Sequence, residues 1–181
     1  VHMMHFHHQV MLVQYPRNKI NLIYMDTDSF IYLIETEDRY KDMLKTLNFY
    51  DTSNLPTSQP CFSLVNEKKP GSFKCETGEK PIMETCALMS KVYAYKTQEK
   101  EDFRVKGVQT CVAKKTLNFD LYVKVLFEKI DIYRDTRRIE SKKHQLFSVQ
   151  SRKKALSHFD NKRHVMEDNI RTLPFGHVDL V

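Results

Sequence analysis

"NLIYMDTDSFIYL", residues 21–33, places Asp26 and Asp28 one residue apart between two short apolar runs rich in aromatic and β-branched side chains. Runs of that composition read as strands, and two of them joined by so short a polar link read as a β-hairpin. Residues 20–25 form the first run and residues 29–35 the second. Side chains alternate faces along a strand, so Ile20, Leu22, Tyr24 and Asp26 are expected on one side, with Asp28 just past the turn. Two carboxylates held close together repel unless a cation sits between them. Oxygen ligands on a tight turn suit a hard ion such as Mg²⁺, which takes one or two protein carboxylates plus substrate phosphates. The same spacing also serves an Asx-type turn, in which the aspartates only accept hydrogen bonds from backbone amides.

Upstream of the hairpin, Met4, His7/His8, Met11, Leu12 and Tyr15 have helical spacing, and Pro16 ends the pattern. Downstream, residues 38–47 open on Asp38 as a helix N-cap and space Tyr40, Met43, Leu44 and Leu47 along one face. Residues 48–60 read as a surface loop, and residues 62–65 and 72–76 flank "NEKKPG" as a second hairpin. Residues 82–95 lean towards β structure. A helix is expected near 118–129, followed by strands in "IDIYRD" and "HQLFSVQ" around a charged link. The histidines near the start, His2, His5, His7 and His8, include an i, i+3 pair. No carboxylate or cysteine accompanies them at ligand spacing, so packing is their expected role rather than zinc.

Hydrophobic residues make up 41% of the 181, enough for a core. No apolar run reaches transmembrane length and the start lacks a signal-peptide layout, so an intracellular protein without a membrane partner is expected. Cys61, Cys75, Cys86 and Cys111 form no C-x-x-C pair and read as free thiols. The net charge is +6, and ten Lys and Arg against three acids lie between Arg134 and Arg163. A basic C-terminal third on a near-neutral body suits a polyanion partner, although a solvated basic face has the same composition.

Two other D-x-D chemistries fit less well. Haloacid-dehalogenase-type phosphatases follow the motif with a crossover, whereas here Phe30 and another strand come at once. Nothing beside the D-x-D suggests a nucleotide-sugar fold of the glycosyltransferase kind. "YMDTDSF", residues 24–30, resembles motif C (Y-x-D-T-D-S) of family B DNA polymerases. "GSFKCE" and "IMETCALMSKVYAY" look like the palm segment that ends in the family's K-x-Y motif, here Lys91-Val92-Tyr93. "ALSHFDNKRHV" and "TLPFGH" resemble the end of the protein-primed branch, especially polymerases of Polinton/Maverick-type mobile elements.

This resemblance implies an α+β fold: a partial palm, with an antiparallel sheet, the motif C hairpin and helices over residues 1–97, then a basic thumb over 98–181. The implied activity is template-directed nucleotidyl transfer by two Mg²⁺ ions. Asp28 would be the principal metal ligand, Asp26 an auxiliary one, Tyr24 a hairpin support, and Thr27 and Ser29 would hold the turn. Lys91 and Tyr93 would hold the primer strand, with Lys74, Lys96, Lys106 and Lys114 as weaker phosphate contacts. Partners would be a DNA primer–template, a dNTP and a terminal-protein primer.

The chain departs from the family pattern at Lys74-Cys75-Glu76, where an acid is missing, and at Glu84-Thr85-Cys86-Ala87-Leu88, where an aromatic and a glycine are lost. It contains no motif A, no motif B and no exonuclease segment, so the chain by itself is expected to bind Mg²⁺ poorly and to be catalytically silent. The alternative is a non-enzymatic nucleic-acid-binding remnant that uses the basic third alone.

Overall fold

The helical pattern before Pro16 becomes one continuous helix of three segments: α1 (His2–His5), a π-helical stretch (Phe6–Met11) and α2 (Leu12–Gln14). The π-turns change which face is buried. Phe6, Val10, Met11 and Tyr15 go inside, while Met4 and His8 stay exposed. Intervals of four and five residues match the wider π period, not the 3.6 period that selected Met4 and His8 from the sequence. The computed structural model describes residues 1–180 and divides them into two units, Val1–Pro81 and a second that begins at Ile82.

In the first unit, β1 (Ile20–Asp26) pairs antiparallel with β2 (Ser29–Ile34), as the sequence reading required. The core gathers Phe6, Val10, Met11, Tyr15 and Ile20 against Phe30, Tyr32, Ile34, Phe49, Tyr50 and Phe73. Aromatic packing dominates it: the Phe6 ring lies 4.0 Å from that of Phe73 and edge-on to Tyr50 at 5.7 Å. α3 (Arg39–Leu44) starts where expected, with the Asp38 carboxylate accepting from the Tyr40 and Lys41 amides. It stops three residues short of the expected end, and a 3₁₀ turn (Leu47–Phe49) leads into β3 (Tyr50–Asp51). The second hairpin does not form. Residues 62–65 form no strand, and β4 (Phe73–Lys74) pairs in parallel with β3.

The second unit holds a three-stranded antiparallel sheet, β5 (Glu84–Met89), β6 (Val92–Lys96) and β7 (Glu101–Arg104), ordered as in the chain. Because β7 pairs with β6, a boundary at 97/98 would cut this sheet in two; the units divide after Pro81 instead. α4 (Thr110–Thr116) and α5 (Phe119–Glu128) follow, and Ala113, Leu117, Phe119, Tyr122 and Val125 bury themselves with Cys86, Leu88, Val92 and Ala94 of the sheet. The Asn118 side chain caps α5 by accepting from the Leu121 amide, and Lys129 ends it in a left-handed conformation.

Beyond α5 the expected charged link is itself strand. β8 (Ile132–Lys142) and β9 (Gln145–Leu156) form one long antiparallel ribbon closed by Lys143-His144, both at positive φ. Ala155, Leu156 and Ile132 root it in the core. β10 (Arg163–Val165) and β11 (Thr172–Pro174) pair beyond it. The fold is α+β with small, mostly antiparallel sheets, and among the described residues no helix is long and apolar enough to cross a membrane.

Candidate functional site: two acidic and basic hairpin turns

Asp26 is the last residue of β1 and faces Ser29, so the turn proper is Thr27-Asp28. A register shift between Leu22 and Tyr24 makes a β-bulge at Ile23. Ile20 and Leu22 stand opposite Ile34 and Tyr32, but Tyr24 and Asp26 stand opposite Ile31 and Ser29. Ile31 and Tyr32 are consecutive and point to opposite faces, so the bulge moves Tyr24 and Asp26 away from the face of Ile20 and Leu22. The shared face expected from strict alternation is therefore replaced by two. Tyr24 is buried, yet it is not among the residues of the aromatic core under Ile20.

The Thr27 hydroxyl donates to Asp26 Oδ1 at 2.9 Å, the Ser29 hydroxyl to the Asp26 carbonyl at 3.1 Å, and the Tyr24 hydroxyl to Asp26 Oδ2 at 3.5 Å. Asp26 is thus a half-buried, oriented carboxylate. Asp28 is exposed, and among the described residues its carboxylate takes part in no hydrogen bond or ion pair. Thr27 reaches this arrangement at φ 45°, a region a β-branched residue rarely occupies.

One oriented and one unengaged carboxylate, two residues apart, form a donor set for a hard cation that brings other oxygens with it. Among the described residues no group of three or more His, Cys, Asp or Glu comes together to hold a metal ion by itself. Two carboxylates fall short of an all-protein cage, so an ion held there would need further oxygens from elsewhere.

Lys91 occupies the Ser90-Lys91 turn between β5 and β6 at φ 63°, exposed, and Tyr93 is half-buried on β6 opposite Ala87. The K-x-Y residues thus lie on a hairpin of the second unit, and the two aspartates on a hairpin of the first. The four weaker lysines differ sharply. Lys74 Nζ is held 3.1 Å from Asp51 Oδ2 and 2.9 Å from the Ser53 hydroxyl, so a phosphate there would compete with a buried carboxylate. Lys96 pairs with Asp120 at 2.9 Å and lies over the Phe119 ring, and that hydrogen bond raises its pKa. Lys106 in the 105–108 turn and Lys114 on α4 are exposed.

The histidines pack. His2 stacks on Phe73 and donates to the Gly71 carbonyl, His5 tilts against Phe49, and His7 stacks on Tyr32 with Nδ1 2.9 Å from its hydroxyl. Burial, then the neighbouring His8, lowers the His7 pKa. All four cysteines are free; Cys61 and Cys86 are buried, and burial pushes the Cys86 thiol up to about 11. Sequence reading missed two features. One is the Asp51 cluster, which adds the distant Lys68 and Lys74 to the neighbouring Ser53. The other is the exposed ribbon, whose turn lacks the Asn-Gly or Asp-Gly that marks a tight hairpin. No family model, no curated protein and no solved structure matches this chain.

Proposed function

We propose that this chain is the motif-C-bearing palm and thumb portion of a family B, protein-primed type DNA polymerase, working on a DNA primer–template. The observation that carries the reading is the Y-x-D-T-D-S sequence on a two-residue hairpin turn with Asp28 exposed and Asp26 oriented by Thr27 and Tyr24. In the complete enzyme Asp28 would hold Mg²⁺, with Asp26 as auxiliary, and the ion would stabilise charge on the attacking and leaving oxygens of nucleotidyl transfer. Thr27 and Ser29 keep the Asp26 carboxylate and backbone in place. Lys91, exposed in the β5–β6 turn, would meet the primer backbone, with Tyr93 two residues on along β6. The basic residues after Arg134 supply the sequence-independent attraction to duplex that a thumb needs.

The test uses the purified chain and a primer–template bearing 4-thiothymidine at the primer 3′ end. The reading expects a preference for the recessed 3′ end over a blunt duplex, and photocrosslinks clustered near Lys91 and Tyr93. Lys91→Ala should reduce the slope of log affinity against log salt by about 0.9, the loss of one phosphate contact. Equal binding of blunt and recessed duplexes, with crosslinks spread over the basic third, sinks it. A second reading, a nucleic-acid-binding module without catalysis, is favoured by the cationic ribbon. It gains if Asp26→Asn/Asp28→Asn binds DNA like the wild type with no Mg²⁺ dependence.

A further inference from the structure

The outer part of the β8–β9 ribbon has no protein partner to explain its side chains. Residues 137–148 are all exposed, on both faces of a two-stranded ribbon. Such a ribbon is marginal alone in water, and here the basal end is anchored by Ala155 and Leu156 in the core. Thr136, buried and bonded to the Ser151 hydroxyl at 3.0 Å, and the Arg137 carbonyl, which accepts from the Gln109 side chain at 2.6 Å, mark where the anchored part ends. Strands of eleven and twelve residues span about 35–40 Å at about 3.3 Å per residue, so the free half reaches well past its anchor.

The register sorts the side chains. One face carries Tyr133 with Lys154, Asp135 with Arg152, Arg137 with Gln150, and then Ile139 with Ser148 and Ser141 with Leu146. Ile139 and Leu146 are diagonal neighbours on this face, and each is 77% exposed. The other face carries Lys153, Arg138 and Lys142, with Phe147 opposite Glu140. The ribbon holds eight Lys and Arg against two acids. Among the described residues Arg137, Lys142, Lys143 and Lys153 make no ion pair, whereas Arg138 pairs with Glu140 and Lys154 with Asp131.

We propose that this ribbon is a DNA-bending arm: it enters a groove of double-stranded DNA, its two cationic faces meet the phosphates of both walls, and Ile139 and Leu146 wedge into a base step. The proposal deepens the nucleic-acid part of the function above and rests on that part alone, not on nucleotidyl transfer. Charge chooses the occupant. A second copy would set one cationic ribbon against another. A bilayer surface calls for one continuous apolar face, and here cations lie on both faces with apolar side chains only near the tip. A groove instead surrounds an inserted ribbon with negative charge on both sides, and exposed Ile or Leu beside Arg and Lys is the chemistry that unstacks and kinks duplex DNA.

The test is a short duplex with a fluorophore pair at its ends and 2-aminopurine in the centre, titrated with the full chain. Binding should shorten the end-to-end distance and raise 2-aminopurine emission. Ile139→Ser/Leu146→Ser alters only exposed side chains, so its thermal unfolding should match wild type; its affinity should stay within about threefold, the range of surface substitutions, while both bending signals vanish. Arg137→Ala/Lys142→Ala/Lys143→Ala should lower the salt slope by about 2.7, at about 0.9 per phosphate contact. The proposal is overturned if duplex is bound unbent, if the wedge variant bends it like wild type, or if phosphatidylserine vesicles bind the chain through Ile139 and Leu146 and duplex does not. Failure of the polymerase reading looks different: no preference for a recessed 3′ end, with bending intact.

Discussion

Lys74 Nζ and Asp51 Oδ2 lie 3.1 Å apart across the two-residue parallel ladder of β3 and β4, and the Asp51 side chain is almost wholly buried. The carboxylate also accepts from the Ser53 amide at 3.0 Å, the Ser53 hydroxyl at 2.6 Å and the Lys68 amide at 3.2 Å. One side chain therefore ties both ends and the middle of the chain between β3 and β4. Burial pushes the Asp51 pKa up, but the hydrogen bonds from Ser53, Lys74 and Lys68 outweigh it and hold the group well below the ordinary carboxylate range.

Removing Asp51 should destabilise the first unit by about 3 kcal/mol, because two amides and an ammonium lose a charged acceptor. Lys74→Met should cost less, since the amide and hydroxyl donors remain and the lysine is partly solvated. The sign with pH follows from the depressed folded pKa. The contribution is complete above the unfolded value of about 4 and fades as pH falls from there towards the folded pKa. Urea unfolding of wild type and Asp51→Asn should show a gap that is constant near neutrality and narrows below about pH 4. A gap independent of pH would rule out the charged acceptor as its source.

The motif C turn stores strain at Thr27. A β-branched residue at φ 45° costs on the order of 1 kcal/mol or more, which its hydroxyl bond to Asp26 partly offsets. Thr27→Gly should raise the thermal midpoint or leave it unchanged, while freeing the Asp26 carboxylate from one of its two hydroxyl donors. Under the polymerase reading the same variant weakens function although it does not weaken the fold. Paired melting curves and primer-junction binding measure the two effects separately, and a clear drop in stability would show that the hydroxyl matters more than the backbone.

How legible this was depended on the range of the interactions involved. The motif C hairpin and the α5 helix could be read because their signals are local: alternating apolar runs around a two-residue link, and Asn118 before an amphipathic run. The bulge at Ile23 was invisible because no glycine or proline marks it, and it decides which face Asp26 occupies. The π-turns hid in the same way, since Phe6, Val10, Met11 and Tyr15 share a face only once the helix is unwound. The β3–β4 pairing could not be read because Asp51, Lys68 and Lys74 are separated by long, turn-rich stretches. At the ribbon turn, Lys143 and His144 adopt positive φ without the residues that favour it, so a strand was read as a link.

That turn gives a direct prediction. Lys143→Asn/His144→Gly supplies the residues a two-residue turn with two positive φ angles prefers and should stabilise the second unit by about 0.5–1 kcal/mol. Lys129→Gly, at the left-handed end of α5, should add a similar about 0.5–1 kcal/mol by relieving a side chain at φ 55°. Asn118→Ala should remove about 1 kcal/mol by leaving the Leu121 amide without its cap. These sites share no partner, so their effects should add in guanidinium melts.

The two aspartates of motif C should separate cleanly. Asp26 accepts from Thr27 and Tyr24, so Asp26→Ala leaves two hydroxyls without their acceptor and should cost about 1–2 kcal/mol of stability. Asp28 has no such bonds among the described residues and is exposed, so Asp28→Asn should leave stability within about 0.5 kcal/mol. If Asp28 is the metal ligand, its loss instead falls on Mg²⁺-dependent binding of a nucleotide triphosphate beside a primer–template, once the segments that carry motifs A and B are supplied with the chain. Isothermal titration with and without Mg²⁺ reads this. Asp28→Asn should abolish the Mg²⁺-dependent part and keep the melting curve, whereas Asp26→Asn should weaken both in smaller measure. Unchanged Mg²⁺ dependence in Asp28→Asn would remove the turn from the metal site altogether and leave it as a hydrogen-bonded acidic hairpin.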